Sequence, residues 1–499
     1  MALCLPLAVI LGYFLSDPLE PSSVTLVGFV LAALSVPLLM KWNHSLLIFS
    51  WNAAFVLGFL PGQPYLWTLL AVIGFFLGIL NRSVDSTKRF LDVPSIRNSL
   101  IVLGAVVAIT AYFNGGIGML ALGSSQYGGK RYFYIFAAII GYFALTSQRI
   151  PAHRANLLVT LFFLSMLTGL IPNFIVMLAG RVDFIYNFFS TESSGEQINA
   201  IMAGNDTARI FGLTMLATGL TCFLFAKYGI RGIFQIRKFW RMGFLVVAFG
   251  ACLMGGFRSF LILLGLLFMV QFYLEGLHRT RFLGIIGGLA LLGGAVTLTQ
   301  SLRLPFYIQR TLSILPIEVS PEARDSATST LDWRLQMWQV LLPEVPKHLL
   351  MGKGYSIDRT AMYFSSDASH QEDGGFEWAV VAGDYHNGPL SLIIPFGIWG
   401  VIAFVWFLCA SIRYLYQQHR AGDPDLQQIN TLLLSFFLAR LILWTIFVGG
   451  FFGDLYLFTG IIGLSVSLNG VKSVEATVPV TEALEDDFEQ QRQYRDDCA

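Results

Sequence analysis

The sequence predicts an all-α polytopic membrane protein of about fourteen transmembrane helices (12–14), with one large, partly helical loop. Three observations carry that prediction: an apolar composition, a series of stretches long enough to cross a bilayer, and a one-sided placement of basic residues. Of 499 residues, 55% are hydrophobic and only 13% are charged, against roughly 25% charged in an ordinary soluble domain. Mean hydropathy is +0.65. A soluble domain cannot bury that much apolar surface, whereas a bilayer can. The 43 Phe and 48 Gly fit the same reading, because membrane helices pack through small residues and tolerate Gly. A formal net charge of +1 gives no reason to expect a nucleic-acid partner.

Apolar stretches near the ~20 residues a bilayer requires run over about 2–16, 23–40, 45–60, 65–81, 98–113, 132–147, 156–178, 210–226, 240–255, 259–274, 282–298, 387–410, 429–447 and 452–469. The start of the chain lacks a basic n-region and a small-residue cleavage site, so Met1–Ser16 reads as a first membrane helix rather than a signal peptide. If residue 1 is cytoplasmic, the inner loops carry 16 basic residues, including Arg149, Arg154, Lys227 and Arg231. The short outer loops then carry 3, namely Lys130, Arg131 and Arg258. The positive-inside rule thus puts both termini in the cytoplasm. The chain divides into membrane helices over 1–298, a large outer loop over 299–385, three further spans over 386–470, and an acidic, Gln-rich tail over 471–499 that reads as disordered. The five cysteines are Cys4, Cys222, Cys252, Cys409 and Cys498. None falls in an outer loop and none has metal-site spacing, so neither a disulfide framework nor a cysteine-held metal is expected.

Function is sought in the outer loops. They hold an unusual set of basic residues for that side: Arg181, Arg209, Arg258, Arg303, Arg310, Arg324, Arg334 and Arg359, with Lys130, Arg131, Lys347 and Lys353. A guanidinium presents a planar fork that binds phosphate oxygens in pairs. Arg209, Arg258 and Arg303 stand at helix mouths, which suits a diphosphate at headgroup level. Singly, each is better read as a snorkelling side chain, and it is as a converging set that they point to an anionic ligand. His386, in Asp384-Tyr385-His386-Asn387-Gly388, stands where the large loop enters a span. The positive end of a helix disfavours imidazolium, and a neutral ring there can take a proton from a hydroxyl. Trp333, Arg334 and Trp338 share a helical stretch, suited either to stacking on sugars or to lying on a membrane surface. Gly352-Lys353-Gly354 is too short to be a phosphate loop. Arg440, inside a span, requires a partner, for which Asp454 is the candidate.

Several of these segments, in this order, resemble the O-antigen ligase/polymerase superfamily. Arg209-Ile210-Phe211-Gly212 resembles its Arg-x-x-Gly element, and Gly256-Phe257-Arg258-Ser259 its Ser-Arg turn. Asp332-Trp333-Arg334 with Trp338 and Gly352-Lys353-Gly354 resembles the Arg…Trp…Gly-x-Gly run. His386-Asn387-Gly388-Pro389-Leu390, with Phe396-Gly397-Ile398-Trp399-Gly400, resembles the most specific element, over a likeness covering about 205–405. The chain departs from the family in lacking Asn-Pro-Asn beyond Gly212, in having Phe257 for the Ser, and in having Leu349 for a Pro. The resemblance implies a bacterial inner-membrane enzyme whose large loop is periplasmic. It implies metal-independent, inverting transfer of a glycan from undecaprenyl diphosphate, with no cofactor. His386 is then the base on the acceptor hydroxyl, Arg209, Arg258 and Arg334 hold the diphosphate with Arg303 nearby, and Trp333 and Trp338 face the glycan. The acceptor is lipid A core for a ligase and a growing polysaccharide for an O-antigen or exopolysaccharide polymerase. A protein-glycosylating relative is a further reading. A flippase or transporter of polyprenyl-linked glycans calls for charges at mid-bilayer in several helices, and Arg440 is the one clear example.

Overall fold

The computed structural model describes Val9, Gly12 and residues 41–85, 90–119, 122–124, 126–177, 183–190, 194–195, 197–198, 209–313, 315–369 and 376–470. The expected spans over 2–16 and 23–40, the tail over 471–499, and Arg181 lie outside these residues. The described chain is helical apart from loops and one two-residue ladder. Its main helices are α1 (41–50), α2 (Leu66–Val84), α3 (Pro94–Asn114), α4 (Gly129–Leu145), α5 (Ala152–Val176), α6 (Phe211–Ile233), α7 (Trp240–Met254), α8 (Arg258–Leu274) and α9 (Phe282–Gln300). The connecting segment carries α10 (Phe306–Leu312), α11 (Pro321–Leu341), α12 (Arg359–Ser369) and α13 (Glu377–Ala382). The chain then returns through α14 (Gly388–Ala421), α15 (Pro424–Phe447) and α16 (Phe451–Asn469).

Eight of the described helices are long and apolar enough to cross a membrane, and α7 and α8 are shorter apolar helices. The stretch expected to span over 45–60 is helical only to Ser50. Gly58 falls in its second half and Pro61, Gly62 and Pro64 follow directly, and the backbone there pairs elsewhere: Val56 N–H donates to Phe188 O and Gly58 N–H to Asn187 O, at 2.9 and 2.7 Å. Non-helical backbone inside an apolar protein is tolerated where its polar groups are paired in this way.

The helices run alternately up and down, which gives the bundle two distinct ends. At one end, His44 Nε2 meets Leu145 O at 2.8 Å, Ile150 N–H donates to Ser467 O at 2.8 Å, and Tyr414 Oη–H donates to Gly470 O at 2.9 Å. This tail end collects Lys41, Arg82, Arg97, Arg149, Arg154, Lys227, Arg231, Arg237, Lys238, Arg241, Arg279 and Arg281. The opposite, loop end carries the segment between α9 and α14. The main apolar core runs between the two ends, with Trp51, Phe163, Phe225, Phe404, Phe437 and Phe458 fully buried.

One device ties the connecting segment to the bundle. Pro395 and Gly397 (φ +61°) interrupt α14. In an unbroken helix the N–H of Ile398 would bond the carbonyl of Ile394. Here Leu349 O takes the Ile398 N–H at 2.7 Å, Lys353 N–H takes the Ile394 carbonyl at 2.8 Å, and Gly354 N–H takes that of Pro395 at 2.9 Å. The break therefore leaves no helix partner orphaned at these positions. Gly352 is required by the same contact: its φ is +70°, and a Cβ there would lie 2.2 Å from Pro395 O. Beyond it, Ile357–Asp358 pairs antiparallel with Gln126–Tyr127, and Tyr355 N–H bonds Tyr132 Oη at 2.8 Å. Gly352-Lys353-Gly354 is thus a strap across a helix break.

Candidate active site

Arg209 precedes α6 and packs against the turn between α7 and α8. Ile210 N–H bonds Gly255 O at 3.2 Å, and a Cβ on Gly256 would come within 3.3 Å of Arg209 Cγ. The Arg209 guanidinium stands 5.3 Å from the Phe257 ring centroid, a cation–π arrangement. Arg258, the first residue of α8, sends Nη2 to Ala327 O on α11 at 3.2 Å. Helix α11 is well started: Pro321 fills its first turn, and Ser320 Oγ accepts from Ala323 N–H at 3.3 Å. It carries Trp333 and Arg334 inward over the mouth of the bundle.

Arg209, Arg258 and Arg334 lie close enough to feel one another's charge. Arg258 is opposed by both of the others, and Arg334 by Arg209. Burial and Arg209 hold the Arg334 guanidinium below its ordinary pKa, with Asp384 pulling the other way. It stays charged, because a guanidinium does not give up its proton in proteins. Its Nε is buried without a hydrogen-bond acceptor among the described residues. A half-buried group of like charges carries a net positive field, which favours an anion over a cation.

His386 joins the same group from the other side. It has φ +46°, a left-handed conformation that few non-glycine residues adopt. Such a residue costs on the order of 1–3 kcal/mol and persists only where its surroundings over-determine it. Here Asp384 N–H bonds Ala379 O at 2.8 Å, and Trp338 Nε1–H bonds Tyr385 O at 2.9 Å. Just after it, Asn387 caps α14 through Oδ1, accepting from Leu390 N–H at 3.0 Å, with Pro389 in the first turn. The His-Asn-Gly-Pro order is therefore a turn, a cap, a close-packed glycine and a helix start. The ring centroid lies 5.6 Å from that of Trp333, and Nδ1 lies 3.8 Å from Asp384 Oδ1. Burial pushes the imidazole pKa down from 6.5, Asp384 opposes, and Arg334 pushes it down further. The net effect keeps the ring neutral near pH 7. With 37% of its side chain exposed, it remains reachable.

Of the residues singled out by sequence, the structure brings together Arg209, Arg258, Arg334, Trp333 and His386. Trp338 is turned to the loop before His386, where it anchors Tyr385 and packs with Leu390 and Ile394. Arg303 is exposed, and its Nη1 donates to Gln300 at 3.3 Å. Among the described residues it makes no contact with the other three arginines. Arg440 bonds Asp454, the partner expected for it, and Asp454 Oδ2 also accepts from Gly450 N–H at 2.8 Å. Asp384 acts on both His386 and Arg334, a role that its place in the sequence does not signal, and Arg131, one of the outer basic residues, sits against Gly383 in the loop that carries Asp384 and His386. Among the described residues, no three His, Cys, Asp or Glu side chains gather as metal ligands.

Fold and hydropathy define a multi-pass, all-α membrane protein with a cationic recess and a histidine at one end. Residues 243–405 match the family model described as O-antigen ligase, and this match supports the O-antigen ligase-like superfamily, within its ligase/polymerase group. The matched residues include Arg258, Trp333, Arg334, Trp338 and His386, whereas Arg209 lies outside them. No curated protein matches the chain.

Proposed function

We propose that this protein moves a glycan from undecaprenyl diphosphate to an acceptor hydroxyl on the periplasmic face of a bacterial inner membrane. The observation that supports the reading is the convergence of Arg209, Arg258 and Arg334 on the recess that holds a neutral His386. The basic tail end faces the cytoplasm under the positive-inside rule, so the recess opens on the outer side, where a lipid-borne diphosphate arrives. The arginines bind the diphosphate and stabilise the charge that grows on it as the glycosidic bond breaks. His386 takes the proton of the acceptor hydroxyl as its oxygen attacks the anomeric carbon. Attack on the face opposite the leaving diphosphate inverts that carbon. With guanidinium groups carrying the leaving-group charge, the reaction runs without a metal ion.

The test is transfer by the purified protein from an undecaprenyl-diphosphate glycan, with and without EDTA. His386→Ala is expected to lower the rate by about 10²–10⁴-fold while membrane insertion is unchanged. Full activity in that variant would remove the proposed base, and loss with EDTA would remove the metal-free mechanism. The product separates the two acceptor classes. Glycan on lipid A core marks a ligase, and longer polymer on the lipid carrier marks a polymerase.

A further inference from the structure

Arg131, near the start of α4, is held in a way its neighbours do not explain by packing alone. Its guanidinium carbon lies 5.2 Å from the Tyr355 ring centroid and 4.9 Å from that of Phe452. It is thus sandwiched between the strap and the start of α16. Nη1 is buried and has no hydrogen-bond acceptor among the described residues. That atom faces the end of α13, where a Cβ on Gly383 (φ +68°) would lie 2.7 Å from it. The C-terminal end of a helix favours a cation. The next residue is Asp384, whose carboxylate interacts with Arg131 on one side and with Arg334 and His386 on the other. Burying a guanidinium without full hydrogen bonding is unfavourable, so its charge is the feature to account for.

We propose that Arg131 is a positioning residue: it pins Gly383 and Asp384 from below, and through Asp384 it fixes the orientation and charge of the His386 imidazole. This rests on His386 being the base of the proposed reaction. The charged groups facing His386 are Asp384 from its own loop and Arg334 from α11; the titratable and charged groups acting with Asp384 are Arg131, Arg334, His386 and the buried Tyr355. The carboxylate favours imidazolium, and Arg131 offsets part of its field. With the Arg131 charge removed, Asp384 acts on the ring unopposed from that side. The imidazole then protonates at higher pH, and the turn that aims it loosens.

The experiment has two readouts. One is the pH dependence of glycan transfer by the purified full-length protein. The other is the pH dependence of His386 modification by diethyl pyrocarbonate, followed by mass spectrometry, which needs no catalysis. Arg131→Gln is expected to lower kcat about tenfold or more with little change in KM, and to move the acid limb and the modification midpoint to higher pH by roughly half a unit to one unit. Arg131→Lys keeps the charge and is expected to keep the midpoint. Asp384→Asn is expected to move it to lower pH. Combined with Asp384→Asn, the shift from Arg131→Gln should shrink by half or more, as it does when one residue acts through another. Parent-like kcat and midpoint in Arg131→Gln overturns the proposal, and so does a full shift persisting in the double variant. If Arg131→Gln does not fold, Arg131→Lys and Asp384→Asn decide: a midpoint moved by Arg131→Lys, or unmoved by Asp384→Asn, overturns it. If the parent transfers no glycan, the proposed function fails, while the modification midpoints still decide for or against Arg131.

Discussion

Arg440 and the group of Arg209, Arg258 and Arg334 meet the cost of burying positive charge in opposite ways. Arg440 lies within the bundle with 16% of its side chain exposed and is bonded to Asp454, which is 8% exposed and also accepts a backbone N–H. Charge is met by charge there, although Arg440 Nε, like Arg334 Nε, has no acceptor among the described residues. At the mouth of the bundle the guanidinium groups face one another. Among the described residues Arg258 and Arg334 form no salt bridge; Arg258 is bonded to a carbonyl, and Arg334 keeps a buried donor free. A pair cancels its own charge, whereas a set of like charges leaves a net positive field, the feature on which the proposed diphosphate site rests.

The comparison predicts opposite responses to neutralisation. Arg440→Met or Asp454→Asn alone should lower stability by about 3–5 kcal/mol, because each leaves its partner charged and buried. Replacing both with apolar residues should return most of that loss. Thermal unfolding in detergent measures this, and single variants as stable as the parent would break the contrast. In the outer group, Arg334→Gln or Arg258→Gln should leave the unfolding temperature unchanged or raise it, because each removes mutual repulsion. The same changes should weaken binding of the lipid-diphosphate donor by roughly ten- to a hundredfold, the worth of one charged hydrogen bond. A titration with the donor checks this; a fall in stability with unchanged binding would assign these residues to structure.

The smallest effect expected is in pH. Because burial and Arg334 hold the His386 pKa below 6.5, its neutral form persists into mildly acidic solution, and the acid limb of transfer should lie below pH 6.5. The sign for stability is the reverse of that for a histidine whose pKa is raised by an acidic partner. Between 6.5 and the lowered value the unfolded chain binds more protons than the folded one, so stability falls as pH drops through that window. His386→Gln should remove this slope. An acid limb above 6.5 would mean that the Asp384 carboxylate outweighs burial.

The two kinds of arginine were legible to different degrees. Hydropathy alone exposes Arg440 as a charge in a span and Asp454 as its neighbour, because a bilayer makes any such charge conspicuous. The mouth group was legible as a set of helix-end arginines, but which of them meet depends on tertiary packing. Arg303 has the same local setting as Arg209 and still ends exposed beside Gln300. Arg131 carries no local signal, since Asp384 is about 250 residues away and only the docking of the strap brings α4 beneath α13. The span expected over 45–60 fails for a related reason: its apolar content is sufficient, but Gly58 within it and Pro61, Gly62 and Pro64 just beyond it favour pairing with 187–189. Gly352-Lys353-Gly354 is too short to be a phosphate loop, and its partners, the carbonyls of Ile394 and Pro395, lie some forty residues downstream, beyond the reach of local pattern.

The stitching of that strap into the α14 break bears on protein engineering. Residues 303–387 resemble an interchangeable cassette, a single excursion between two helices. They are not one, because Leu349, Lys353 and Gly354 share hydrogen bonds with Ile394, Pro395 and Ile398, and Ile357–Asp358 pairs with Gln126–Tyr127. A graft from a relative that is meant to change acceptor choice has to carry the Pro-x-Gly of α14 and the 126–132 turn along with it, or the transplanted piece will arrive without its moorings.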